Sequence, residues 1–490
     1  MTITRRGFLA AGAAAYAAAN LPVFARAQEG VRQLAAATRT IDIRGKAATV
    51  FGLGGEAGQG LILDPGERFR VDLRNDLAEP TLIHWHGQIP PNEQDGVPGI
   101  PMPMLEPGES RSYDFEPLPG TYWMHSHVPF QEMQLLAAPL IVRSADDERA
   151  DRQEVTLFLH DFAFKSPQEI MSEIAGGHDA GAPMGGMDHT AMERDSMAGM
   201  STMPGMGAMG DMGMMGDMAM DLNDYDWDAY LANDRTLADP EVVRVDKGGR
   251  VRLRVINAAS ATVFWIDTGA AAARLVAVDG HPAKPVGGTR FGLAMGQRLD
   301  LELDLPQGEG AWPILALREG ARERTGIVLA TPGAEIGRIA ELADVEAPAF
   351  DIDLSQEAAL EALEPLSAKP TDASRMLMLG GTMTPYVWTI DDAVWGQHRP
   401  IRARSGERVL LGFHNMSMMG HPMHLHGHVF QVVEINGRPV SGARRDTVYV
   451  PPMSMITVAL DAGEAARWML HCHHMPHLET GMMTEFEVTA

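Results

Sequence analysis

The sequence contains one cysteine, Cys472, in 490 residues. A single thiol excludes an internal disulfide framework and any zinc or iron–sulfur site built mainly from thiolates. Basic side chains are also scarce: 40 Lys and Arg face 65 Asp and Glu, for a formal charge of −25. That balance disfavours nucleic acid and anionic lipid as partners. No segment has the roughly 20 uninterrupted apolar residues of a membrane-spanning helix, so no stable membrane insertion is expected. Long helix-period runs are few, and 51 Gly and 32 Pro point to a β-rich chain with many turns.

With 45% hydrophobic residues, a chain of this length can bury more than one core. The N-terminus carries Arg5-Arg6-Gly7-Phe8-Leu9, an Ala-rich stretch to about Ala19, and Ala25-Arg26-Ala27 before Gln28. A charged start, a short apolar stretch and an A-x-A end describe an export signal over residues 1–27, and the paired arginines indicate the twin-Arg machinery. A periplasmic bacterial protein is expected, and a monomer.

Beyond residue 27, short alternating runs such as Arg68–Leu73 and Arg250–Val255 read as half-buried strands. Pro65-Gly66-Glu67-Arg68, Lys247-Gly248-Gly249-Arg250 and Ser405-Gly406-Glu407-Arg408 each precede a strand ending in Asn: Asn75, Asn257 and Asn415. One β-sandwich unit used three times explains the recurrence. The fold expected is all-β, with domains over 28–148, 149–335 and 371–490 and an Ala/Glu-rich, helix-prone linker over 336–370. An insertion of about 165–222 interrupts the second domain, and residues 184–220 hold 13 of the 33 Met. Residues 184–220 lack branched aliphatic and aromatic side chains and read as a mobile segment. Its thioethers suit Cu(I), with His178 and His189 as further donors.

Ten of the 18 His fall in four clusters: His84-Trp85-His86, His125-Ser126-His127, His421-Pro422-Met423-His424-Leu425-His426, and His471-Cys472-His473 with His477. In a strand, residues i and i+2 share a face, so each His-x-His presents two imidazoles side by side. Four such pairs exceed what one zinc needs and suit a multi-metal cluster. Cys472 lies between His471 and His473 and points to the opposite face, where it can bind a different metal. Two His, one thiolate and a weak axial thioether make a blue-copper electron-transfer site, with His421, His477 and Met482 within reach of Cys472.

On these four motifs, present in order, the chain resembles the three-domain multicopper oxidases over essentially its whole mature length, near the bacterial cuprous oxidase and copper-resistance branch. The resemblance implies three consecutive cupredoxin-like Greek-key sandwiches and four copper ions, with O2 as electron acceptor. It implies a type 1 copper held by His421, Cys472 and His477 with Met482 axial, and a type 2 copper on His84 and His424. The type 3 pair would take His86, His125, His127, His426, His471 and His473. Asp95 matches the family acid that helps protonate reduced oxygen, and Asp446 a position that could orient His421. Leu478 departs from the glutamate some cuprous oxidases carry there, leaving Glu479 as a stand-in proton donor.

The expected substrate is Cu(I), oxidised for copper tolerance. The Met-rich segment motivates this, as does Met419, which matches a substrate-binding Met of the cuprous oxidases; the matching acid four residues before His421 is Ser417 here. Met376, Met378 and Met383 are looser candidates for substrate contact, with core packing the first reading, and Trp85 reads as packing. His414, His428 and His474 read as surface or hydrogen-bonding residues, His474 near enough to tune the copper site. The alternatives are a laccase-like oxidase of phenols and amines, a copper store, and a cupredoxin-fold protein without copper. The complete ligand set argues against the last, and a store needs no Cys-His bridge.

Overall fold

The computed structural model describes residues 30–55, 58–177 and 222–490. The expected export signal, the Met-rich run, His178 and His189 lie outside the described residues.

Six sheets form three pairs, and each pair repeats one pattern. In the first sheet of each pair a strand runs parallel to the strand that follows the Gly turn, which then pairs antiparallel with a third. These trios are Arg32–Ile43, Phe69–Asn75 and Ser110–Phe115; Gln153–Phe162, Arg250–Asn257 and Arg298–Asp304; and Ala373–Met383, Arg408–Asn415 and Met455–Asp461. The second sheets share the antiparallel pairs Gly120–Ser126 with Ile83–His86, Ala311–Arg318 with Phe264–Asp267, and Arg467–Cys472 with His421–Leu425, and in the second and third sandwiches one more strand follows, Arg290–Leu293 and Thr447–Val450. Alternating apolar residues line the inner faces, among them Phe69, Val71 and Leu73 in the first sandwich and Val409, Leu411 and Phe413 in the third.

The three Gly-Asn signatures do the same work in each unit. Gly66, Gly248 and Gly406 have φ of +78°, +66° and +84°, a left-handed turn that a side chain would strain. Asn75, Asn257 and Asn415 are fully buried, and each spends its amide on backbone groups. Asn415 Nδ2 donates to the carbonyls of Met419, Val450 and Pro451, while its Oδ1 accepts from Ser417 N. Each amide thereby pins a loop that would otherwise leave backbone groups orphaned in the core.

Residues 336–370 depart from the helix-prone expectation. Pro348 and Pro365 interrupt the segment, and only Ser355–Ala359 is helical. The rest lies along the second sandwich, making isolated bridges at Glu319–Ala347, Glu323–Leu342 and Ala283–Ala362. Phe350 fills the seam between the second and third sandwiches, with its ring 5.3 Å from that of Trp265 and 5.1 Å from that of Tyr449. Among the described residues no helix is long and apolar enough to cross a membrane.

Candidate metal centre

The repeated strand pairing assembles the site. In the first sandwich His84 lies opposite His125; in the third, His424 lies opposite His471 and Met423 opposite Cys472. The corresponding strands of the second sandwich, Phe264–Asp267 and Ala311–Arg318, carry no His or Cys. The first and third units therefore face each other with their imidazoles, and the second closes the side.

Cys472, buried at a strand end, has its Sγ 3.7 Å from His421 Nδ1 and 3.6 Å from His477 Nδ1, and those two nitrogens are 3.2 Å apart. His477 comes from the short helix Met475–Glu479. Met482 is buried, and its backbone closes the loop, with its N–H donating to His477 O and its carbonyl accepting from Cys472 N. The outer nitrogen of each imidazole is also held. Ser417 Oγ lies 2.8 Å from His421 Nε2, and Asp224 Oδ2 lies 3.6 Å from His477 Nε2. His474 stacks on His477 at 3.9 Å, its Nε2 lies 3.4 Å from the same carboxylate, and Tyr386 donates its hydroxyl to it. Burial pushes the Cys472 thiol well above its usual range, so a thiolate here calls for a bound cation.

The other eight imidazoles converge on the opposite side of Cys472, and their hydrogen bonds fix which nitrogen each offers. His84 Nδ1–H donates to Asp95 O and His424 Nδ1–H to Asp446 O, leaving their Nε2 atoms 3.4 Å apart. His86 is turned the other way: Nε2 meets Asp446 Oδ1 at 3.0 Å, so Nδ1 faces His125 Nε2 at 3.4 Å, with the His473 ring 5.0 Å from His86. His426 Nε2 and His471 Nε2 are 3.1 Å apart, and the His127 ring lies 5.0 Å from that of His426. The nitrogens thus sort into one pair and two trios, a shape that accommodates three ions. Burial holds His86, His125, His127, His426, His471 and His473 well below the usual histidine range, with neighbouring imidazoles adding to the effect in several. Neutral imidazole is the ligating form. His127 Nε2 and both nitrogens of His473 are buried with no hydrogen-bond partner, an expensive arrangement unless they face a metal.

Asp95 joins the groups: its Oδ2 accepts from His426 Nδ1 at 2.8 Å, its carbonyl holds His84, and its buried Oδ1 makes no hydrogen bond but lies 3.4 Å from His84 Nδ1. The turn behind it needs Gly96, whose φ is +87° and where a Cβ would sit 1.9 Å from Ile83 O.

Two expectations are corrected. Asp446 does not orient His421; it meets His86, lies 3.3 Å from His424 Nδ1 and receives two hydrogen bonds from Arg298. His421 pairs with Val450 and His424 with Thr447, so strand register carries Asp446 away from His421. Glu479 is exposed and has no contact with the imidazoles, because two residues of helix turn it about 200° from His477. The acid at the cluster is instead Glu132, which ends the short helix Pro129–Glu132. Its Oε2 lies 2.7 Å from His125 Nδ1, and its buried Oε1 is unpaired, 3.8 Å from His473 Nδ1.

Met419 is buried, whereas Met416 and Met418 in the same loop are exposed. His428 is structural: Nδ1 donates to His426 O and Nε2 accepts from Gly463 N. Trp85 packs on Phe69 and Tyr113. Sequence reading missed Glu132, Asp224 and Arg298. Only Glu132, five residues after His127, and Asp224, four residues after the last Met of the run, stand near a recognisable motif.

Three sequence profiles described as multicopper oxidase match residues 36–147, 186–331 and 367–490. The chain is 30% identical over 522 residues to multicopper oxidase MmcO of Mycobacterium tuberculosis, spanning 99% of this chain and 96% of that one. It is 26% identical to the copper resistance protein A homolog of Pseudomonas syringae pv. tomato, over 91% of this chain and 90% of that one. Among solved structures, Fet3p, a multicopper oxidase that functions in iron import, superposes with a TM-score of 0.74 at 15% identity, covering 94% of this chain and 90% of that one. A repeated sandwich, ten converging His, one buried Cys and a match along nearly the whole length lead to one family: the chain belongs to the multicopper oxidases.

Proposed function

We propose that this oxidase takes its electrons from Cu(I) and serves copper tolerance. Four copper ions, when bound, would supply the redox chemistry, one-electron oxidation of substrate and four-electron reduction of O2 to water. The residues fit that group. His421, Cys472, His477 and Met482 would hold the type 1 ion, His84 and His424 the type 2 ion, and the two trios the type 3 pair. Cys472 is bonded through backbone to both His471 and His473, so one short covalent path joins the two sites. Asp95 and Glu132 are the carboxylates beside the imidazoles, with Asp95 Oδ1 3.4 Å from His84 Nδ1 and Glu132 Oε1 3.8 Å from His473 Nδ1, and would serve proton delivery.

The observation that carries the substrate reading is Asp224. The Met-rich run ends in sequence at Met220, and four residues later the side chain of Asp224 is buried against His474 and His477. The described chain thus resumes beside the Cys472 site directly after the thioether-rich run in sequence, and thioethers select Cu(I) over hard ions. The exposed Met416 and Met418, in the loop leading to His421, add sulfur to the same region. The paired arginines and the A-x-A end support twin-Arg export to the periplasm. The copper-resistance name of one relative agrees with copper tolerance. A laccase-like reading makes the segment only a cover. Deleting residues 184–220 separates the two: Cu(I) turnover falls and small phenols are oxidised equally or faster, whereas unchanged Cu(I) kinetics contradict the proposal.

A further inference from the structure

Met376 and Met378, read from sequence as core first and as substrate contacts second, are not core. In the strand Ala373–Met383 it is Leu377 and Leu379 that point inward, while Met376 is 50% exposed and Met378 half-buried. Register then gathers donors on the outer face of the third sandwich's larger sheet. Met378 lies opposite His414, and His414 lies opposite Met455, so the three occupy one cross-strand row. In the adjacent row Met376 lies opposite Gly412, and Gly412 opposite Thr457. Facing residues in such rows have Cβ atoms about 5 Å apart.

Gly412 leaves room for sulfur. A Cβ there would stand 2.9 Å from both Sδ and Cε of Met376, so the thioether lies across the glycine toward the centre of the group. His414 is half-buried, and its ring has no hydrogen-bond or ion-pair partner among the described residues. Beyond Thr457, Glu434 adds a carboxylate, 3.4 Å from the Thr457 hydroxyl. Three flexible thioethers around an imidazole, on a half-exposed face, are an unusual use of apolar side chains. The same donors are what a soft monovalent metal needs, and they are poor ligands for Ca²⁺ or Mg²⁺.

We propose that Met376, Met378, His414 and Met455 form a Cu(I)-binding site on the outer face of the third sandwich, separate from the Cys472 centre. The strand that carries His414 ends at Asn415, and the next residues run through Ser417 to His421, so the site stands at the foot of the loop that holds a copper ligand. The assignment rests on its own donors and holds whether or not Cu(I) is the physiological reductant.

The test uses Ag(I), a redox-inert probe of Cu(I) sites, titrated into the reduced, copper-loaded full-length protein labelled with ¹³C at the Met methyl groups. Met376→Leu, Met378→Leu and Met455→Leu variants assign the three signals and preserve apolar volume on a face that does not pack the core. The expected result is that the three methyl signals and the His414 ring shift on one shared saturation curve. His414→Gln should weaken that curve about tenfold or more. Signals that stay still, saturate separately, or are indifferent to His414→Gln overturn the site. If deletion of residues 184–220 leaves Cu(I) kinetics unchanged while the shared curve persists, the substrate reading fails and this site stands.

Discussion

Arg298 offers the sharpest test of how the His cluster is held. Its guanidinium is fully buried and belongs to the second sandwich, yet it donates two hydrogen bonds to Asp446 of the third, at 2.8 and 2.5 Å. It also donates to Thr121 O in the first sandwich and Gly296 O in its own. Burial alone would push the Asp446 carboxyl up; Arg298, with help from His86 and His424, holds it well below the usual carboxylate range. The ionised carboxylate then fixes His86 and, at 3.3 Å, the His424 ring. Replacing Arg298 by Met keeps most of the volume and removes the charge. A buried pair that loses one partner costs about 3–5 kcal/mol, and loss of a group that orients metal ligands costs about 10–100-fold in metal affinity. Dialysis against graded chelator, followed by copper counting and electron paramagnetic resonance, reads the outcome. Arg298→Met should release type 2 copper at about 10–100-fold lower chelator while the blue thiolate band of the Cys472 site persists. Arg298→Lys, charged but without the fork, should fall between. Retention of type 2 copper equal to the parent protein would refute the clamp.

Other consequences are open to measurement. Glu319, packed under Phe350 at the seam, accepts from Phe350 N at 2.6 Å, and burial pushes its carboxyl from 4.5 to about 8. A raised folded-state value means the folded protein holds a proton the unfolded chain releases, so this contribution is intact below 4.5 and lost as pH rises to about 8. At about 1.4 kcal/mol per pH unit the loss is on the order of 5 kcal/mol over that window. Glu319→Gln should flatten the pH dependence of the thermal midpoint there, and an unaltered slope would remove Glu319 as its source. Glu132→Gln should slow O2 reduction and leave the blue band unchanged; unimpaired turnover would exclude Glu132 from proton delivery.

The sequence carried the repeat because its cause is local. Alternation, a left-handed Gly and a terminal Asn recur wherever the same strand must enter the same loop, and Asn75, Asn257 and Asn415 all prove to be pinning residues. The two faces of the His471–His473 segment were equally legible from strand geometry. What escaped was tertiary. Arg298 reaches Asp446 across 148 positions, and Glu132 approaches His473 from another sandwich, contacts no spacing encodes. Asp446 and Glu479 were misplaced for the same reason: register and helical phase, not proximity in sequence, decide which imidazole an acid meets. Core packing was the first reading for Met376 and Met378, and it fails because Leu377 and Leu379 beside them satisfy the core.

If electrons enter at the Cys472 site and leave to O2 at the His cluster, loss of the thiolate must stop turnover. Oxygen uptake by the copper-loaded protein during Cu(I) oxidation, measured beside Cys472→Ser, tests it most directly. The parent protein should consume one O2 per four Cu(I) without accumulating peroxide, and the variant should show no enzymatic uptake although its eight-imidazole cluster still holds copper. Sustained O2 reduction to water by Cys472→Ser would contradict the account.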